Sequence, residues 1–386
     1  MREVNMAEWK ATRKQKRLVR QVLRSGRLTY GDKTRELEKQ FAALHDRKYA
    51  LFTSSGTAAL KIALGAMKER YGWQDGDEVI IPSVTFVATM NIVIMNNLKP
   101  VLVDVDPSTI NMDPDLLEDV ITYKTRAIIP VHLLGQPANM EKIMRIARKY
   151  RLKVVEDSCE TMFVSRQGSV VGSKGDAACF STYLAHLMVT GIGGFITTND
   201  SQMATTMRSM MFHGRDESYL NIDDNKKTGK AFSEMVAKRF YFPRFGYSDR
   251  MTEMEAALGL ADLDNWEDMI AVRQQNAEYL MDNLISIKQI IFPVESSKEH
   301  AFMFFPMLVE RRDELVEYLE RRGIKTRHMM PLTTQPIVRK YIKGNLDKRY
   351  PIAKQVNEHG ILLGCHQYLT KKDLKYMVKT IEGFYA

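Results

Sequence analysis

The chain has 386 residues, of which 45% are hydrophobic and 27% charged, a composition that is typical of a globular protein and excludes wholesale disorder. No apolar run comes near the roughly 20 residues that span a bilayer, and three cysteines, Cys159, Cys179 and Cys365, are too few for a disulfide framework. The net charge of +9 suits an anionic partner, either nucleic acid or a phosphorylated metabolite.

The first 27 residues carry much of the positive charge. Their lysines and arginines are interspersed with apolar residues, at Lys10, Arg13, Lys14, Lys16, Arg17, Arg20, Arg24 and Arg27. The pattern predicts a basic helix within residues 1–25, most simply with its charges facing solvent. Without a helix-turn-helix, zinc spacing or aromatic RNA-binding signature, we do not expect nucleic acid as a partner. Because the start lacks the apolar centre of a signal peptide, we expect a cytoplasmic protein with no membrane partner.

Short strand-like runs then alternate with helical stretches. The candidate strands are rich in Val and Ile and often continuous, as strands buried on both faces should be, and they span 49–54, 78–82, 101–105, 126–132, 152–156, 178–183 and 194–198. The helical stretches between them are 57–70, 86–97, 114–122 and 139–150. This alternation predicts an α/β fold with a mainly parallel, seven-stranded sheet.

The pattern changes after about residue 245. A helical run over 252–285 is followed by shorter strands and helices up to Ala386. We therefore predict a large domain at 1–261 and a smaller α/β C-terminal domain at 262–386. The polar segment 215–245 is typical of a mobile excursion rather than a core element.

The first stretch with chemical content is Ser55-Gly56-Thr57, which follows a strand and opens a helix. Small residues let the backbone approach a ligand, and the first N–H groups of a helix have no partner within it, so they can bind an anion. The same residues also make a plain helix cap, and this fragment alone leaves both interpretations open.

Two further stretches end predicted strands. Asp157 and Glu160 lie at or just after the carboxyl end of a strand, where ligands of open α/β sheets bind. An aspartate there can pair with a pyridinium nitrogen, although an N-cap is an equally good interpretation. Ser181 is followed five residues later by His186 and then by a glycine-rich return, which is another phosphate-and-base arrangement. A lone histidine is more often structural.

Taken in order, these motifs resemble the DegT/DnrJ/EryC1/StrS family from about residue 18 to the C-terminus. The other matching segments read GRLTYG at 26–31, PSVTFVAT at 82–89, FHGR at 212–215 and MTEMEAALG at 251–259. The resemblance implies a fold-type I, aminotransferase-like architecture whose large domain binds pyridoxal phosphate (PLP) or pyridoxamine phosphate (PMP). It also implies a homodimer that acts on nucleotide sugars.

The resemblance assigns roles to matching residues. Those implied to bind the cofactor phosphate are Ser55, Gly56, Thr57 and Ser181, together with Ser248, which stands where relatives have an Asn that reaches the neighbouring subunit's cofactor. Those implied to contact the cofactor ring are Phe86, which would stack on it, Asp157, which would pair with its nitrogen, and Glu160, near its hydroxyl. We further expect His328 and His366 to bind substrate.

His186 stands where the aminotransferases carry the lysine that binds the cofactor covalently. Imidazole cannot form that bond, so the resemblance implies a noncovalent cofactor. It points to the sugar 3-dehydratases, with His186 as the base that allows removal of the C3 hydroxyl of a nucleotide-linked 4-keto-6-deoxyhexose. An amino donor such as L-glutamate would restore PMP.

One branch of these dehydratases holds an iron–sulfur cluster through four cysteines, whereas the other has no cluster and uses a GDP-linked sugar. With three cysteines, this chain matches the second branch, and we expect no iron–sulfur cluster or other metal. Ile192 and Ser248 replace a Glu and an Asn of the family pattern. Two alternatives stay open: an aminotransferase-like enzyme without the lysine, acting on a nucleotide sugar or aminocyclitol, and a catalytically silent, ligand-binding scaffold of the same fold.

Overall fold

A computed structural model describes residues 2–216, 228–295, 297–329 and 331–386. The strands of its first half are β1 (Tyr49–Thr53), β2 (Glu78–Pro82), β3 (Lys99–Val103), β4 (Thr125–Ile128), β5 (Lys153–Asp157), β6 (Ser165–Arg166), β7 (Ser169–Val170), β8 (Ala177–Ser181) and β9 (Gly194–Thr198). Strands β6 and β7 form a separate hairpin, and the others form one seven-stranded sheet in the order β1-β9-β8-β5-β4-β2-β3. The five strands from β8 to β3 pair in parallel, while β9 is antiparallel to both of its neighbours. The predicted α/β fold and its seven-stranded sheet are confirmed.

Helices cover both faces of this sheet. They are α1 (Arg13–Ser25), α2 (Asp32–Leu44), α3 (Gly56–Tyr71), α4 (Val87–Met95), α5 (Leu117–Val120), α6 (Met140–Tyr150), α7 (Ser201–Met211), α8 (Gly229–Ala237) and α9 (Glu253–Asp262), with 3-10 turns at Pro114–Leu116 and Leu133–Gly135. On one face α3 and α4 pack into an aliphatic core. On the other, Phe41 of α2 stacks on Phe195 of β9, with ring centroids 3.9 Å apart. Burial on both faces explains why these strands read as continuous apolar runs.

The C-terminal part forms a second, antiparallel sheet in the order β10-β11-β13-β12. Its strands are β10 (Ile290–Ile291), β11 (Phe304–Val309), β12 (Thr326–His328) and β13 (Gly360–Gly364). The helices of this part are α10 (Trp266–Leu284), α11 (Arg312–Glu320), α12 (Pro336–Tyr341), α13 (Leu346–Arg349), α14 (Pro351–His359) and α15 (Lys371–Tyr385), with 3-10 turns at Leu263–Asn265 and Leu332–Thr334. Val4 pairs with Ile324 and packs in the core of this part, so the chain's first residues lie with its last in space.

Three expected elements differ from the structure. The run 252–285 is two helices, α9 and α10, separated by a 3-10 turn in which Asn265 leaves the helical region. The basic helix begins only at Arg13, because the Thr12 side chain caps its first turn. Within 215–245, residues 217–227 lie outside the described chain, but the rest includes α8, whose Met235 is buried.

Candidate functional site

The site lies at one edge of the large sheet, where the carboxyl ends of β5 and β8 meet the first turn of α3. Asp157 and Cys179 are paired across β5 and β8. A Cβ atom built on Gly56 would lie 2.7 Å from the Sγ of Cys159 and 2.8 Å from the Cβ of Ser181. Gly56 therefore lets the start of α3 press directly against the strand ends. The edge matches the general position of ligand sites in open α/β sheets.

Asp157 is the last residue of β5 and is 4% exposed. The hydroxyl of Thr89 donates to its Oδ2 at 2.9 Å, and the backbone N–H of Cys159 donates to its Oδ1 at 3.2 Å. Burial raises the pKa of Asp157, and these hydrogen bonds oppose that rise. A positively charged group beside the carboxylate would stabilise the ionised form, which is what a protonated pyridine nitrogen provides.

The first turn of α3 has the features of an anion site. The Ser55 hydroxyl accepts from the N–H of Ala58 at 3.1 Å, so Ser55 is the N-cap. The backbone N–H groups of Gly56 and Thr57 lie in the first turn, where a helix leaves its donors without intrahelical acceptors. Ser181, at the end of β8, is buried against Gly56. The plain-cap and phosphate interpretations are thus compatible, because the cap uses only the Ser55 side chain.

Phe86 is connected to Asp157 through Thr89, and Glu160 follows Asp157 by three residues. Phe86 precedes α4 and exposes 61% of its surface, an unusual state for an aromatic ring, and its carbonyl accepts from the N–H of Thr89. Phe86 and Asp157 are therefore both tied to Thr89. Glu160 accepts from the backbone N–H of Leu134 at 2.8 Å. Burial, with a smaller contribution from the charge of Asp157, raises the pKa of Glu160 to about 7.

His186 lies in the loop that leaves β8 and returns to β9. The hydroxyls of Thr182 and Thr190, 2.6 Å apart, join the two ends of this loop. The part that returns to β9 is held by the N–H of Val189, which donates to the Asp262 carboxylate at 2.8 Å. Burial lowers the pKa of His186 to about 4, with Arg273 acting in the same direction. Its Nδ1 is buried and makes no hydrogen bond within the described chain. The loop thus holds a half-buried imidazole that is neutral near pH 7.

The remaining expected site residues are Ser248, His328 and His366. Ser248 pairs with Phe212 and directly precedes Asp249, whose backbone carbonyl accepts from the N–H of Ser54 at 2.8 Å. His328 is exposed on β12. His366 is buried, and its Nε2 lies 3.1 Å from the carbonyl of Asn5. Within the described residues, no hydrogen bond connects either histidine to the group around Asp157, and their role toward substrate stays a prediction.

Sequence reasoning gave no role to several residues that the structure places here. Thr89 was only part of a matching motif, although its position three residues after Phe86 puts both on one helix turn.

An exposed aromatic surface follows α8 and consists of Phe240, Tyr241, Phe242 and Phe245. The guanidinium of Arg215 lies 5.7 Å and 5.6 Å from the ring centroids of Phe240 and Phe242. The high density of aromatic residues over 240–247 was the signal in the sequence from which this surface could have been predicted.

The described residues contain neither a metal-binding cluster nor a membrane-spanning helix. No group of three or more His, Cys, Asp or Glu side chains could hold a metal ion, and no helix is both long and apolar enough to cross a membrane. The three cysteines are free thiols.

Proteins of a known family resemble this chain along almost its whole length. The model of the DegT/DnrJ/EryC1/StrS aminotransferase family matches residues 10–382. A GDP-perosamine synthase of Caulobacter vibrioides is 34% identical over 355 residues, which cover 90% of this chain and 88% of that protein. A UDP-2-acetamido-2-deoxy-3-oxo-D-glucuronate aminotransferase of Pseudomonas aeruginosa is 32% identical over 364 residues, which cover 92% of each.

Among solved structures, GDP-4-keto-6-deoxy-D-mannose-3-dehydratase of E. coli with bound hydrated PLP has a TM-score of 0.88 and 26% identity. The match covers 98% of this chain and 100% of that one. The fold expected from the sequence is therefore found along almost the whole chain.

Proposed function

The chain belongs to the DegT/DnrJ/EryC1/StrS aminotransferase family of PLP-dependent, sugar-modifying enzymes, and we propose that it is a 3-dehydratase of a nucleotide-linked 4-keto-6-deoxyhexose that uses noncovalent PMP. The observation that carries the proposal is His186, a half-buried, neutral imidazole with an unpartnered Nδ1 at the position of the family's lysine. When bound, PMP supplies an amine that condenses with the sugar ketone and a ring that accepts electrons.

The residues around Asp157 fit this group. The Asp157 carboxylate would hold the ring nitrogen protonated, since it is buried at the carboxyl end of β5 and is oriented by the Thr89 hydroxyl and the Cys159 backbone. Phe86, exposed on the same edge, would cover one face of the ring. The N–H groups that open α3 and the hydroxyl of Ser181 would hold the phosphate. There is no room for a Cβ atom at Gly56, so the N–H groups that open α3 and the hydroxyl of Ser181 lie close together.

His186 would move the protons. As a neutral imidazole it would take a proton from the C4′ carbon of the cofactor and deliver it to the C3 hydroxyl of the sugar as that group leaves. A pKa near 4 makes a weak base. The anionic phosphate and the nucleotide diphosphate would favour the protonated imidazole and so raise this pKa toward neutrality. Glu160, with a pKa of about 7, would donate or accept a hydrogen bond at the ring hydroxyl.

The exposed aromatic surface after α8 favours two further parts of the proposal, a homodimer and a nucleotide-linked substrate. Phe245 is 98% and Phe240 82% exposed, and so large an apolar surface on one loop is typical of an interface. Arg215, close to two of these rings, supplies a cation for a phosphate while the rings can stack on a base. GDP is the favoured nucleotide because two of the similar proteins are named for GDP-linked sugars. L-Glutamate is the proposed amino donor.

The test is single-turnover reaction of the PMP-loaded protein with GDP-4-keto-6-deoxymannose and related nucleotide sugars. We expect loss of the C3 hydroxyl, release of ammonia and one equivalent of PLP that dialysis removes. The second candidate is an aminotransferase-like reaction, which the name of the Pseudomonas relative favours. It would yield an amino sugar and no ammonia. A protein inert on every 4-keto sugar tried, although it binds PMP, would favour the scaffold alternative instead.

A further inference from the structure

One face of α1 carries charge that the proposed activity does not use. Leu18 and Val22 of this helix are buried in the core that includes Ala257 and Leu260 of α9. The opposite face is exposed and presents arginines at i, i+4, i+7 and i+11, which lie along a single line on a helix. We call this line the arginine stripe; its members are Arg13, Arg17, Arg20 and Arg24. Lys16 flanks it and is exposed as well.

Only Arg24 of the stripe, in the last turn of α1, complements the helix dipole. Like charges at i, i+4 repel each other, and cations in the first turn oppose the helix dipole. No acidic residue occurs between Glu8 and Asp32, where about two or three would be expected at the chain's average frequency. Within the described chain, no ion pair involves a stripe arginine, whereas the neighbouring Lys14 is paired with Asp264. A solvated face that served solubility alone would mix both signs.

We propose that the arginine stripe binds the surface of an anionic lipid bilayer. The four arginines follow a straight line of about 16 Å, at 1.5 Å per residue, so all can meet headgroups of a flat surface at once. Leu23, 58% exposed, is the i+3 neighbour of Arg20, and Leu28, 44% exposed, follows the helix. Apolar side chains beside cations gain free energy at the headgroup boundary but gain none from the phosphates of a nucleic acid.

The choice of a bilayer over nucleic acid also rests on what the face lacks. The described part of α1 contains no aromatic side chain on which a base could stack. The sequence led us to expect no membrane partner, because no segment can span a bilayer. The structure shows which face of α1 is buried, and this places the four arginines together on the exposed face. A line of exposed arginines calls for adsorption of the protein to the bilayer surface, not for insertion of a segment into it.

The experiment is co-sedimentation of the full chain with vesicles of phosphatidylcholine alone or with 30% phosphatidylglycerol, at rising salt. We expect binding to the anionic vesicles only, with loss at high salt. At roughly fivefold in affinity for each cation, the variant R13Q/R17Q/R20Q/R24Q should bind on the order of 600-fold more weakly. The variant Leu23→Ser should weaken vesicle binding severalfold while leaving binding to duplex DNA unchanged. Circular dichroism and gel filtration verify that each variant is folded.

The matched control removes the same charge from another helix. Lys371, Lys372, Lys375 and Lys379 of α15 are exposed, and K371Q/K372Q/K375Q/K379Q lowers the net charge equally. We expect it to retain vesicle binding within a few fold. Equal loss in the two quadruple variants would show that net charge acts without the stripe. No binding to anionic vesicles at moderate salt would also overturn the proposal, as would stripe-dependent binding to DNA alone.

Discussion

Replacing Asp157 with Asn separates an electron-accepting site from a structural one. The two side chains have the same shape, and the Asn oxygen can still accept from Thr89 or from the N–H of Cys159. The carboxamide carries no charge, so it cannot hold a pyridine nitrogen protonated. We therefore expect Asp157→Asn to bind the cofactor and to lose turnover.

The size of the loss follows from the surroundings of the carboxylate. Removing one preorganised electrostatic group from an active site costs about 2.7–4 kcal/mol of barrier, which is 100- to 1000-fold in rate. Asp157 is 4% exposed, and electrostatic interactions are stronger in such a poorly solvated position. If Asp157 served only to close the turn at Cys159, Asn would replace it almost without cost, because the two residues cap equally well.

The assay is single-turnover conversion of a 4-keto sugar by PMP-loaded protein, with absorbance after gel filtration as the measure of retained cofactor. Asp104→Asn is the matched control, since Asp104 is 5% exposed, accepts from Ser83 at 2.8 Å, and lies beyond β3, about 14 Å and three strands from β5. This control should lose stability but not rate. A fast Asp157→Asn variant, or equal slowing in both, would refute the reasoning.

Three other outcomes are expected. His186→Lys should abolish dehydration and form a borohydride-reducible covalent link with added PLP; retention of PLP without that link would show that residue 186 does not face the C4′ carbon. Glu160 has a pKa of about 7 against an ordinary 4.5, so ionising it lowers the free energy of unfolding. The loss is complete above pH 7 and absent below about pH 4. In urea unfolding of dialysed protein, Glu160→Gln should thus be more stable than the parent by on the order of 2 kcal/mol at pH 8 and equal to it at pH 4; a gain confined to low pH would contradict this. Sedimentation at micromolar concentration should show a species of twice the 44.4 kDa chain mass, and a purely monomeric protein would exclude the proposed dimer.

The sheet was predictable because its strands are buried on both faces and therefore stand out as apolar runs. Strand 126–132 was predicted too long, since β4 ends at Ile128. Pro130 lacks the N–H that a further ladder position requires. The break between α9 and α10 had little local signal, because the one glycine of the run, Gly259, lies inside α9 and no proline interrupts it. It coincides with a tertiary contact: the Asp262 carboxylate accepts from Val189 and from Gln15 of α1.

The candidate site, too, was predictable only in part. Gly56, Asp157 and Ser181 end or begin regular elements, so their convergence follows from the topology of a parallel sheet. The partner of Asp157 could not be read in advance, because Thr89 reaches it across 68 positions of sequence. Nor could the state of His186, whose burial depends on the packing of a loop. Contacts between distant segments decide these features, and a single sequence does not display them.

The three titratable groups of the site share one physical feature. Burial favours the neutral form of each, since it raises the pKa of Asp157 and Glu160 and lowers that of His186. A bound pyridinium reverses this preference only for the carboxylate next to it, because its charge compensates that of Asp157 directly. An anionic phosphate acts on His186 in the opposite sense to burial. In the proposed complex, the pyridinium would thus compensate the charge of Asp157, and the phosphate would favour the protonated form of His186, both more strongly than in water. A pocket that disfavours charge on its own is therefore well suited to hold this doubly charged cofactor without a covalent bond.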